Sequence, residues 1–313
     1  MHNLLRYFRQ NRKKIIKVAL IVAFLIAILQ LLNYLAGRNN NIKFESSNND
    51  NLIKESNGTI TSDKSAISGA KISTNEIKNV GNKINEFVDL CNNHKLDEAY
   101  NMLSNSCKEI LYPDLQNFIQ NYYEPLFKEE NKTYTIQNWS GNTYLVKFVE
   151  DLLATGKSAK ESGYTDYITI VEENGEKKLN INSFIKKEEI SKEKEDNNIK
   201  IKVLNRIKYM EYEEYELEVT NNTNGTILLD QLTTSEGIYL KDSKENRHYA
   251  YANELTKDEM KVFSKYTKKI KIKFDNPYIT GRRINNLCFS MIVLDYNEKN
   301  YAAIDSTKIS VNI

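Results

Sequence analysis

Two histidines, one basic pair and a few adjacent carboxylates are the residues of this chain best suited to chemistry. A Ser–His–acid hydrolase would need its base in His94 or His248. His94 sits in a helix connection beside Asn92, Asn93 and Lys95, and His248 lies in a region rich in Lys, Glu and Asn. Neither adjoins a Gly-x-Ser-x-Gly elbow, so both read as surface histidines. A Cys91–His94 nucleophile would need an exposed thiol, yet Cys91 falls on an apolar helical stripe. The neighbouring pairs Glu213/Glu214 and Glu129/Glu130 suit solvated faces. A glycosidase would need two carboxylates on converging strands with one of them desolvated. Residues 295–300, DYNEKN, lack the sixth-position glycine and the terminal glutamate of a calcium loop and read as a hairpin turn. There is no phosphate-binding glycine loop, and the spacing of cysteines and histidines matches no zinc motif. No residue is therefore assigned to catalysis, to a cofactor or to a metal. Arg282 and Arg283, after Gly281, are the one basic pair in a β context. The plain reading is a polar turn; the functional one is a contact with a partner or with the cell wall. Tyr209, Tyr212 and Tyr215 read as strand residues, because aromatics suit pleated, half-buried surfaces.

The elements that would position these residues start with a membrane segment. Arg6, Arg9, Arg12, Lys13, Lys14 and Lys17 precede an apolar stretch, 18–36. About 20 residues at 1.5 Å rise cross a hydrocarbon core of about 30 Å. Few basic residues follow closely, chiefly Arg38 and Lys43. The positive-inside rule then places the tail, 1–17, in the cytoplasm and the rest outside. A cleavable signal peptide would have a shorter apolar core and a small-x-small site, whereas Tyr34 and Leu35 precede Ala36. The basic run reads as a topology determinant and a contact for anionic lipid, so the bilayer is the first partner expected and no specific nucleic acid is.

The net charge of +2, from 44 basic and 42 acidic residues in 313, gives no global field towards nucleic acid or an acidic substrate. This length favours about two domains. Residues 37–72 are rich in Asn, Ser, Lys and Gly without apolar periodicity and read as a flexible stalk of reach about 30 Å. Ser73 and Glu76 have capping-box spacing, and Ile77, Val80, Ile84, Phe87, Val88 and Cys91 follow at helical intervals. Shorter helices are expected over 96–103 and from Pro113, with Pro125 ending or kinking the latter. Strands follow over 133–139, 144–150, 165–172 and 177–184, and Asn174-Gly175 signals a type I′ hairpin. Together these give an α+β domain, 73–187. The charge run 188–197 reads as a solvated linker or helical extension. Eight strands are expected over 198–313, which predicts a β-sandwich. Cys91 and Cys288 read as small buried hydrophobes, with a Cys91–Cys107 bridge the alternative for an exported chain.

Two resemblances rest on these segments. Helices leading into a curved antiparallel sheet that ends in the hairpin 171–184, VEENGEKKLNINSF, resemble the cone-shaped fold of nuclear transport factor two, and 92–103, NNHKLDEAYNML, is similar to its short second helix. That resemblance implies either an enzyme, with Asp, His or Tyr deep in the cone, or a non-catalytic module. Such modules occur in bitopic assembly components of type IV secretion and conjugation machines, whose layout this chain resembles. The segments 215–222, YELEVTNN, and 269–275, KIKIKFD, are similar to immunoglobulin-like domains of Gram-positive surface lipoproteins, which bind or space. The single Trp139 argues against the antibody-type subgroup. The expected function is thus a non-enzymatic, single-pass scaffold whose partners are other envelope proteins or a second copy of itself. The alternatives are a surface-displayed adhesion or cell-wall-binding module and an enzyme of the cone fold. A deep pocket in the first domain, with Asp or Glu beside Tyr, would mark the enzyme.

Overall fold

The structure, a computed structural model, describes residues 58–62, 64–150, 163–230, 236–297 and 305–313, all within one unit, Ile53–Ile313. The expected span 18–36, with its six flanking basic residues and the first part of the stalk, lies outside the described residues. Among those described, no helix is long and apolar enough to cross a membrane.

Helix α1 (Thr74–Asn92) starts where Ser73 accepts the Glu76 amide, and it buries the six stripe residues read from the sequence. Helix α2 (Leu96–Asn101) follows. Helix α3 (Asn105–Leu111), capped by Ser104, was not foreseen; its apolar stripe is only Cys107, Ile110 and Leu111, of which Cys107 alone is fully buried. Asp114 caps α4 (Leu115–Phe118), a π turn spans Ile119–Tyr123, and α5 (Glu124–Phe127) continues it. Pro125 therefore neither ends nor breaks this segment. Proline offers no N–H to the carbonyl four residues back, and the widened turn, with the Glu124 amide bonded to the Ile119 carbonyl, absorbs the misfit.

These helices share one core with a five-stranded sheet in the order β1 (Gly58–Ser62), β2 (Lys132–Ser140), β3 (Thr143–Glu150), β4 (Tyr164–Glu173), β5 (Glu176–Asn180). Neighbours are antiparallel except β1, which lies parallel to β2 with Ile60 opposite Ile136. The stalk thus ends earlier than the expected 72: residues 58–62 add an edge strand, and Lys64 bridges Lys71. Backbone pairing to an open sheet edge needs little side-chain hydrophobicity, which is why composition missed it. Asn174 and Gly175 take φ of 53° and 80°, the left-handed pair that a type I′ turn requires.

The expected linker is the largest correction. Residues 188–197 belong to a hairpin of β6 (Phe184–Asp196) and β7 (Ile199–Tyr209), joined at Asn197 and Asn198, both with positive φ. Cross-strand charge explains why so charged a run forms a strand. Glu193 faces Lys202 and Glu195 faces Lys200; further across the sheet Lys202 faces Glu218, while Lys269, Lys271 and Lys273 oppose Glu218, Glu216 and Glu214. At these positions acidic and basic residues alternate from strand to strand, so the paired charges are opposite in sign.

That sheet has the order β13 (Tyr266–Phe274), β8 (Glu213–Asn221), β7, β6. It packs on a second sheet, β11 (Arg247–Tyr249), β10 (Ile238–Asp242), β14 (Ile284–Val293), β9 (Ile227–Leu228), β12 (Lys261–Val262), with β15 (Ser306–Asn312) also paired to β14. Their facing side chains, among them Val203, Leu217, Ile272, Leu240 and Phe289, form the sandwich core. A short helix, α6 (Lys257–Met260), with a full capping box at Thr256 and Glu259, interrupts the strands.

The β6–β7 hairpin serves both cores. Phe184, Ile207 and Tyr209 pack with the helices, and Ile199, Ile201 and Val203 pack in the sandwich.

Candidate functional site

The seam between the two cores holds a polar cleft of about 200 Å³. One wall comes from strands: Lys186 on β6, Lys208 on β7 and Glu213 on β8. The other is the β13–β14 connection, which includes Asn276, Tyr278, Ile279, Gly281 and Arg282. That connection is pinned at several points. The Tyr278 amide donates to the Met210 carbonyl (2.9 Å), and the Arg282 amide donates to that of Ile279 (3.1 Å). The Arg282 guanidinium donates to the Asn276 side chain and to the Pro277 carbonyl (3.1 Å). Ser140 of β2 bonds Thr280, tying the connection to the helical lobe. Gly281 takes φ of +86°, a turn that a side chain would strain.

Charge behind the strand wall converges on one carboxylate. Glu188 accepts from Arg206 Nε (2.7 Å), pairs with Lys208 (3.2 Å) and also pairs with Lys186. Burial alone would raise the Glu188 carboxyl, but Lys186, Arg206 and Lys208 hold it down at about 2. Burial, then the neighbouring Arg206, push the Lys208 ammonium below its usual range. Glu213, 5% exposed, accepts the Tyr215 hydroxyl at 2.9 Å. Glu213 and Glu214 lie on opposite faces of β8, since Glu214 pairs outward with Lys271 (3.3 Å), so they do not act together.

Of the basic pair read from the sequence, Arg282 lines this cleft and Arg283 does not; the Arg283 carbonyl accepts the Ser243 amide instead. The six basic residues of the N-terminal tail lie outside the described residues. His94 bonds the Tyr123 hydroxyl at the end of α1, and His248 stands 3.5 Å from Asp242 on β11. The two histidines are not brought together with a nucleophile. All three thiols are free and buried, so Cys91 and Cys107 do not pair; burial pushes Cys107 up to about 12 and Cys91 further.

Sequence reading missed Asp166. It is 1% exposed inside the helical lobe. It accepts from the Tyr122 hydroxyl (3.0 Å) and from the amides of Asn182 (2.9 Å) and Ser183 (2.8 Å). Burial raises its carboxyl to about 6, against the downward pull of those donors. The arrangement places an aspartate beside a tyrosine, the pairing expected of a catalytic cone. Here, however, its donors fasten the β5–β6 turn, whose residues Asn182 and Ser183 both have positive φ. Asp166 lines neither the seam cleft nor the shallow groove beside α1 at Asn82, Asn85 and Asp89. The signal that could have found it is the phase of β4, where Ile168 and Ile170 share its buried face.

Compared with protein-family models, with curated proteins and with solved structures, the chain finds no match.

Proposed function

We propose that the chain is a non-enzymatic, single-pass membrane protein that carries a two-lobed body outside the cytoplasmic membrane. Its role is that of a scaffold in an envelope-spanning assembly such as a conjugation or type IV secretion machine. The observation that carries this reading is the β6–β7 hairpin, whose strands enter both cores and join the lobes without a flexible linker. A stiff body on a basic-flanked apolar segment suits a part that holds partners in register. Confinement to the bilayer raises the effective concentration of such a part for other membrane subunits. Helices packed on a five-stranded sheet support the cone-shaped fold similar to nuclear transport factor two, and two facing sheets support an immunoglobulin-like sandwich. The sealed Asp166 and the buried thiols support a role without catalysis.

Crosslinking in intact membranes, followed by identification of the adducts, tests this function. The expected result is a carbonate-resistant membrane protein, digested by external protease beyond the stalk and crosslinked to other envelope proteins or to itself. A mature chain released into the medium and beginning after Gly37 would sink the tether. The seam cleft favours one competitor, a surface-displayed ligand-binding module. Adducts to cell-wall fragments alone, with capture of the chain by purified peptidoglycan, would favour that reading.

A further inference from the structure

The seam cleft concentrates charge. Four cationic side chains, Lys186, Arg206, Lys208 and Arg282, gather at its walls and immediately behind them. Two carboxylates, Glu188 and Glu213, face them, leaving a formal excess of two positive charges. Glu188 is already shared by three of the cations, and Glu213 is engaged by Tyr215. Lys208 and Arg206 are only 12% and 15% exposed, so water screens them poorly. The Arg282 guanidinium, which lines the cleft, hydrogen-bonds to the neutral Asn276 and Pro277 and has no carboxylate ion pair among the described residues.

We propose that this cleft binds an oxyanion, the phosphate or carboxylate group of a larger molecule, between Arg282 on the loop wall and Lys186 and Lys208 on the strand wall. Its volume of about 200 Å³ admits one such group and little more, so the carrier leaves through the mouth. The guanidinium gives the group a planar fork and the two ammonium groups give it point charges. The Glu213 carboxylate offers an acceptor to a hydroxyl on the carrier. Ile279, half exposed at the lip, offers apolar contact to the rest of it. Because one wall stands on the β6–β7 strands that both cores share and the other is tied to Ser140 of the helical lobe, the ligand also braces the seam. The inference goes beyond the scaffold reading and does not depend on the tether.

The sole tryptophan supplies a reporter, since Trp139 precedes Ser140, which bonds Thr280 of the cleft loop. The full chain in detergent is titrated with glycerol 3-phosphate and, separately, with N-acetylalanine, following Trp139 fluorescence and thermal stability. Saturation by either probe with a Kd below ~10 mM, weakened by added salt, is expected, and the stronger probe names the group. Arg282→Gln should weaken binding on the order of tenfold, the loss of one charged hydrogen-bonding partner. Lys186→Gln, on the opposite and more exposed wall, should do likewise and guards against misfolding of the loop variant. Arg283→Gln should bind as the parent does. No saturation by either probe, or saturation that Arg282→Gln and Lys186→Gln leave unchanged, would overturn the proposal.

Discussion

Asp166 is a carboxylate that the fold buries at a cost and then uses. Its donors favour the ionised form, but burial outweighs them and lifts the carboxyl to about 6, above the unfolded value of about 3.9. A group raised on folding stabilises the protein when protonated. That contribution is complete below about pH 4 and is lost as pH rises through 6, a change of about 3 kcal/mol. Glu188 works in the opposite sense and outside this window, its contribution being lost only as pH falls towards 2. Asp166→Asn should therefore flatten the stability profile between pH 4 and 7 in denaturant titrations, while the parent declines across it. A decline of equal size in the variant would assign the effect to another group. Tyr122→Phe removes one donor and should move the parent's decline to higher pH. None of this was legible from residue types alone. The alternation of Tyr167, Thr169 and Val171 is conspicuous, but the core takes the other phase, Asp166, Ile168 and Ile170. An aspartate in that phase reads as evidence against burial.

At the scale of elements, β6 shows how a strand can be held by charge rather than by apolar alternation. Its start is anchored by Phe184 and Ile185, and beyond them Glu188 gathers Lys186, Arg206 and Lys208. Removing that carboxylate leaves the poorly exposed Arg206 and Lys208 with Glu213 as the remaining nearby carboxylate. Glu188→Gln should cost on the order of 2–3 kcal/mol in thermal or chemical unfolding. Glu193→Gln should cost under about 1 kcal/mol, since Glu193 is exposed and sits 3.9 Å from Lys200. Equal losses would show that the network at Glu188 is no stronger than a surface pair. The contrast explains what the sequence made legible. Helix α1, the Asn174-Gly175 turn and most sandwich strands follow from apolar period and turn chemistry, which are local. The strand character of this run depends on Lys200 and Lys202, which pair with it, and on Glu218, which backs Lys202 from the next strand, contacts that exist only after the chain has folded back. Arg282 was visible as a basic residue after a glycine, but its cleft is assembled from strands up to about a hundred residues distant in the chain.

At the scale of the whole molecule, the shared hairpin makes a prediction about cooperativity. Two domains on a linker would unfold separately, each reporting only its own core. Here β7 carries Ile201 and Val203 into the sandwich, and Ile207 and Tyr209 into the helical lobe, along one unbroken strand. Melting the sandwich takes away the partner strand β8 that pairs with β7 along its length, so the helical lobe should lose order with it. Leu217 is fully buried in the sandwich core, whereas Trp139 lies in the helical lobe. Leu217→Ala should cost about 2–5 kcal/mol. If the lobes are coupled, the Trp139 fluorescence transition in denaturant moves to lower concentration together with the far-ultraviolet circular dichroism, and the two curves coincide. If the lobes are independent, the fluorescence midpoint stays in place while the dichroism splits into two steps. A stiff body can hold partners in register only while both lobes stand or fall together, so independent unfolding would also remove the physical support for the scaffold reading.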